Sequence, residues 1–137
     1  MAQDWDGLAK NWESNPATEQ FAQSVFAQLQ QLTQLDGIKV LDFGCGTGQF
    51  DLVVASSVLA FVDDVESSLD IAHSLLNEGG YFVHFDWVAE SEQDGFTLSR
   101  SENALSNAGF VDVEAKKVFD ITSDGQTMSV LMGVGRR

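Results

Sequence analysis

Basic residues are scarce in this chain. Seven Lys and Arg stand against 21 Asp and Glu in 137 residues, a formal net charge of −14. A field of that sign repels phosphate backbones and anionic bilayers, which argues against nucleic acid and membrane as partners. Cysteine is nearly absent. The single Cys45 cannot build an internal disulfide framework, and one Cys with two His is a poor basis for a metal site, so none is expected. Proline occurs once, and neither a low-complexity linker nor an internal repeat divides the chain. No apolar stretch approaches the roughly 18 residues of a membrane helix. The start, Met1 to Asp6, lacks the basic opening and the apolar run of a signal peptide. These absences point to a cytoplasmic, soluble domain of bacterial type.

What is present is an ordinary globular composition, 44 % apolar and 20 % charged. The length suits one domain, and a chain of this size typically buries about two-thirds of its unfolded surface. Trp5, Leu8 and Trp12 lie at helical spacing in a polar segment that reads as a short helix or lid. Asn15-Pro16 marks a helix start. Phe21, Val25, Leu29 and Leu32 then form an amphipathic stripe running to about Leu35. Strand-like runs follow at Ile38–Phe43, Phe50–Ala55 and Tyr81–Trp87. Between the last two, Asp63 and Asp64 open a helix whose Val65, Leu69, Ala72 and Leu76 share a face and which Gly79-Gly80 stops. Ser99 and Glu102 have capping-box spacing at the head of another helix, which ends at Gly109. Val111–Ile121 and Thr127–Gly135 read as a hairpin turning at Asp124-Gly125. Strands alternating with helices, closed by a hairpin, predict an α/β fold with a mostly parallel sheet and an antiparallel edge. A helical cap over 1–36 and a sheet core over 37–137 make up the single domain.

The most informative stretch is Val40-Leu41-Asp42-Phe43-Gly44-Cys45-Gly46-Thr47-Gly48. A buried strand ends in an acid and then a loop with glycine at every second position. Such a loop lets the backbone approach a ligand closely, and in doubly wound sheets it lies at the strand ends where ligands bind. A dinucleotide fingerprint would require glycine at position 49, which is Gln49. The spacing therefore disfavours a nucleotide-binding oxidoreductase and favours an adenosyl-type ligand beside the loop. Read without a ligand, the loop is a simple strand–loop turn.

Val40–Gly48 resembles the first motif of class I S-adenosylmethionine-dependent methyltransferases. Phe50–Ser57 resembles that family's fourth strand and the loop after it, and Leu76–Val83 is similar to the entry to its fifth strand. The terminal hairpin matches its sixth and seventh strands. Trp5-Asp6, Trp12 and Asn15-Pro16 look like a bacterial small-molecule branch. The resemblance implies a Rossmann-like three-layer sandwich, S-adenosylmethionine as cofactor and a small-molecule acceptor. It implies that the Asp42 carboxylate lies near the methionine amine, and that the backbone of Gly44, Cys45, Gly46, Thr47 and Gly48 passes beneath the ribose and methionine. Ala55, Ser56 and Ser57 would close the other side. It implies no fixed catalytic residue, because the sulfonium is already activated and positioning supplies much of the rate.

The family's first and fourth strands are parallel neighbours separated by two further strands and two helices, yet here only Gly44 to Gln49 separate Phe43 from Phe50. Parallel neighbours ordinarily need a crossover of about a dozen residues or more. A six-residue strand rises about 20 Å, and six residues span about 20 Å at most, so the connection reaches back only by straightening the glycine loop. Three arrangements are compatible: a segment absent from this sequence, a deletion with Ile38–Phe43 paired otherwise or swapped between chains, or an antiparallel turn-back of Phe50–Ala55. By the resemblance, the chain lacks the strand whose acid holds the ribose and the strand whose loop holds the adenine. Two hydrogen bonds to a carboxylate, about 1.5–3 kcal/mol each, correspond to roughly two to four decades of affinity. The sheet is then incomplete at one edge, and Ile38–Phe43 is open to pairing with a second copy. A remnant that keeps the scaffold as a binding or oligomerisation module is the rival to an enzyme.

Among the remaining polar residues, His84 reads as a packed or hydrogen-bonded strand histidine and His73 as structural or solvated. Asp86 and Trp87 end a strand at the ligand edge and could line a substrate pocket or cap a loop. Trp5 and Trp12 could wall that pocket or pack the first helix. Cys45, between glycines, reads as a space-filler, since no base with suitable spacing is evident.

Overall fold

Apolar residues four apart bury one side of the first helix. In α1 (Pro16–Leu32), Phe21, Val25 and Leu29 are buried, while Phe26 between them is 54 % exposed. The helix begins at the proline that sequence placed there, where a missing N–H is no loss. The structure, a computed structural model, describes residues 16–33, 40–42, 50–91 and 93–137. The elements after α1 are β1 (Val40–Asp42), β2 (Phe50–Ser56), a 3-10 turn (Leu59–Phe61), α2 (Val65–Leu75), β3 (Leu76–Trp87), α3 (Leu98–Asn107), β4 (Val111–Ser123) and β5 (Gln126–Arg136). The segment carrying Trp5 and Trp12 lies outside the described residues. No described helix is long and apolar enough to cross a membrane.

The five strands form one sheet in the order β1-β2-β3-β5-β4. β1 pairs parallel with β2 and β2 parallel with β3, whereas β5 runs antiparallel to both β3 and β4. The sheet is mixed, as the alternation of strands and helices predicts, with the terminal hairpin at one side and its antiparallel strand β5 lying between β3 and β4 rather than at the edge. Asp124 (φ 52°) and Gly125 (φ 76°) both take the left-handed conformation between β4 and β5, as a two-residue primed hairpin turn requires.

The pairing of β1 removes one of the three arrangements left open by the sequence and agrees with the parallel neighbours that the resemblance implies. Val40, Leu41 and Asp42 pair in parallel with Leu52, Val53 and Val54, so β2 does not turn back as an antiparallel partner. Because Asp42 is level with Val54, the chain must return past only four residues of β2. That is about 13 Å along the strand and 5 Å across it, against a reach of more than 20 Å for the seven residues 43–49.

Side chains alternate between two cores. Val53, Ala55, Phe82 and Leu131 gather with Leu69 and Ala72 of α2 and Leu105 of α3. Their strand neighbours Leu52, Val54, Val83, Phe85, Val130, Met132 and Val134 gather instead with Phe21, Val25 and Leu29 of α1. Strands apolar on both sides read as continuous apolar runs rather than as alternation; Leu-Val-Val-Ala in β2 is the example.

Two element boundaries differ from the sequence reading. α2 stops at Leu75, and Leu76 is already the first residue of β3, fully buried and paired with Phe50. The Arg137 guanidinium donates to the carbonyls of Ser74 and Leu76, supplying partners where the helix ladder ends, so Gly79-Gly80 falls inside a strand. At α3 the cap is Thr97, whose hydroxyl accepts from the Arg100 N–H at 3.1 Å. Glu102 is drawn away from any capping box by the Ala115 N–H of β4, 3.3 Å distant.

Candidate functional site

The parallel strands β1, β2 and β3 all end at the same side of the sheet. Asp42 is level with Val54, and Ser56 with Phe85, so their carboxyl ends sit in a row. This is the crevice in which open α/β sheets bind ligands. Beyond β2 the chain turns sharply. Ser57 adopts φ 56°, a left-handed conformation uncommon outside glycine, and its N–H donates to the Phe85 carbonyl at 2.7 Å. The bend is thereby tied to β3. Ala55 is fully buried and offers a ligand only its backbone, whereas Ser56 and Ser57 are half-buried. Strained residues of this kind gather at ligand clamps and active sites.

β1 is described as backbone, which places Asp42 as its last residue, beside Val54. Gly44, Cys45, Gly46, Thr47 and Gly48 lie outside the described residues, as do Trp5 and Trp12. Trp87 is half-buried at the end of β3, and its ring meets Phe21 of α1 at 5.5 Å between centroids.

Asp86 is not at a pocket surface. It is fully buried, as are His84 and Ser101, and the three make a hydrogen-bonded chain. Asp86 Oδ2 lies 2.7 Å from His84 Nδ1, and His84 Nε2 lies 2.6 Å from Ser101 Oγ. A carboxylate only accepts, so Nδ1 is the donor; in the neutral ring Nε2 then accepts from the Ser101 hydroxyl. The other Asp86 oxygen, Oδ1, accepts from the Ala60 N–H in the 3-10 turn at 3.3 Å. His84 is packed between Phe96 (5.0 Å) and Phe82 (6.2 Å). The order Ser-His-Asp is that of a hydrolytic triad, but with no access to solvent it cannot meet a substrate. The sequence reading found His84 and Asp86, one strand step of two apart and hence on one face, but missed Ser101. Its signal was its position four residues before Leu105, on the buried stripe of α3.

A separate cavity of about 270 Å³ between α2 and α3 is lined by Glu66, Asp70, Ala104, Asn107 and Ala108. None of these belongs to the strand ends.

No family model matches the sequence, and no curated protein is similar to it by sequence search. Solved structures do match. The N-methyltransferase NodS from Bradyrhizobium japonicum, in complex with S-adenosyl-L-homocysteine, is 14 % identical with a TM-score of 0.59; the match covers 99 % of this chain and 93 % of that one. A SAM-dependent methyltransferase from Thermotoga maritima is 17 % identical with a TM-score of 0.51, covering 69 % and 59 %. Phosphoethanolamine N-methyltransferase 2 from Haemonchus contortus, in complex with S-adenosyl-L-methionine, is 11 % identical with a TM-score of 0.50, covering 64 % and 33 %. The chain thus spans about three-fifths of the first of these latter two and a third of the second. At these identities the likeness establishes the fold.

Proposed function

We propose, starting from the class I S-adenosylmethionine-dependent methyltransferase fold of this chain, that it binds S-adenosylmethionine at the carboxyl ends of β1 and β2 and transfers its methyl group to a small molecule. In this reading the sheet is the middle of a three-layer sandwich, with α1 on one side and α2 and α3 on the other. The observation that carries it is the left-handed turn at Ser57, standing at the strand ends of a fold whose solved relatives include a complex with S-adenosylhomocysteine. Ser56 and Ser57 supply hydroxyls and a bent backbone on one side of the ligand. The resemblance assigns the other side to Asp42 and Gly44–Gly48, with the Asp42 carboxylate as the partner of the ligand's cationic amine. When bound, the cofactor supplies a methyl group on a positively charged sulfonium. The protein's part is then to hold the acceptor in line with that methyl and to exclude water, which is positioning rather than acid–base chemistry. Trp87, half-buried at the end of β3, is the candidate to border the acceptor. Calorimetric titration with S-adenosylmethionine and S-adenosylhomocysteine tests the reading. Saturable heat supports it, and no heat up to millimolar ligand sinks it.

A second reading is favoured by the short link between β1 and β2. Among the described residues, no strand lies outside β1, where the resemblance puts the ribose and adenine contacts. A scaffold without them serves as a binding or oligomerisation module, joined to a second copy along β1. Sedimentation discriminates: a dimer with no cofactor heat favours the module, and a monomer counts against it.

A further inference from the structure

A buried carboxylate, imidazole and hydroxyl in one chain require a reason, because apolar residues of similar volume would fill the same space without the desolvation cost. The two ends of this chain suggest one. Ser101 lies on α3, His84 and Asp86 on β3, and the far oxygen of Asp86 meets the Ala60 N–H in the turn that follows β2. Among the described residues, the turn's own bonds are few: the Val62 N–H reaches the Leu59 carbonyl at 3.4 Å, and no side chain caps its start. It also begins two residues after Ser57, on the strand-end segment assigned above to the cofactor.

We propose that Ser101, His84 and Asp86 form a strut that fixes the Leu59–Phe61 turn, and so positions the Ser56–Ser57 segment for the cofactor. They are positioning residues that touch no substrate. Ser101 holds the ring at Nε2, the ring orients the carboxylate through Nδ1, and the carboxylate holds the Ala60 amide. Gly133 gives the strut its room, since a Cβ there would overlap His84 Nε2 and Ser101 Oγ. The strut's effect on the cofactor rests on the methyltransferase reading; its effect on the turn does not.

Amide hydrogen exchange followed by NMR, without ligand, separates the two. In the native protein the Ala60 amide is expected to exchange at least tenfold more slowly than an unprotected amide; exchange at the unprotected rate overturns the proposal. Ser101→Ala removes the end of the strut farthest from the turn. Ala60 exchange should then accelerate about tenfold relative to Leu131 in the centre of β5, which corrects for lost global stability. An unchanged ratio shows that Ser101 serves packing alone and overturns the strut. Titration with S-adenosylhomocysteine follows. An affinity about tenfold weaker in Ser101→Ala supports the link to the cofactor, and an equal affinity overturns that link. Absence of binding to the native protein instead removes the methyltransferase reading while leaving the exchange result intact.

Discussion

Gly133 is a residue whose identity is set by its neighbours rather than by its own conformation. It lies in β5 opposite His84 and Ala115, and only the lack of a Cβ lets the imidazole and the Ser101 hydroxyl meet above the strand. Gly133→Ala is therefore expected to lower stability by about 1–3 kcal/mol, the usual cost of overpacking a dense core, measured as a lower urea midpoint with an unchanged m-value. A midpoint equal to the native one would mean that the strut has slack. At this scale the sequence was partly legible. His84 was readable as a satisfied strand histidine because a lone His in an apolar run is seldom free. Asp86 was not readable as buried: at the end of a strand, its aspect depends on a turn 26 residues earlier whose N–H it accepts. Local pattern carries no trace of that partner.

The elements show the same division between local and tertiary control. The start of α2 is local. Asp64 accepts from the Ser67 N–H at 3.0 Å and from its hydroxyl at 2.7 Å, and these two bonds, the backbone one first, hold its carboxyl below the ordinary aspartate range. A carboxylate with a lowered folded pKa adds stability above its unfolded value of about 3.9, and that contribution is lost as pH falls through the folded value. Asp64→Ala should accordingly unfold at lower temperature than the native protein near pH 6. The gap should shrink in acid, below about pH 4; thermal melts across that range check it, and a gap independent of pH would contradict the cap. The end of α2 is tertiary. Helical period runs on through Leu76, but pairing with Phe50 and the reach of Arg137 from the far end of the chain convert Leu76 to strand. At α3 the Ser99–Glu102 spacing is a valid capping box, displaced because Thr97 lies one residue before the first turn and Glu102 finds a β4 amide.

For the whole molecule, the order of parallel strands and terminal hairpin was legible because each element has its own period and its own turn residues. The parallel pairing of β1 with β2 is what the resemblance implies; what was not legible is that so short a link could serve it, because the reach of a connection depends on register. With Val40, Leu41 and Asp42 level with Leu52, Val53 and Val54, β1 meets β2 well along its length, and a short link suffices. This brings the Asp42 end of β1 alongside the Ser56–Ser57 end of β2, the place proposed for the cofactor. Titration of the isotope-labelled protein with S-adenosylhomocysteine, followed by amide NMR, tests it most directly. Binding at the strand ends is expected to give shifts concentrated in residues 42–48 and 56–60. Shifts confined to the α2–α3 cavity around Asp70 and Asn107, or none at millimolar ligand, would contradict it.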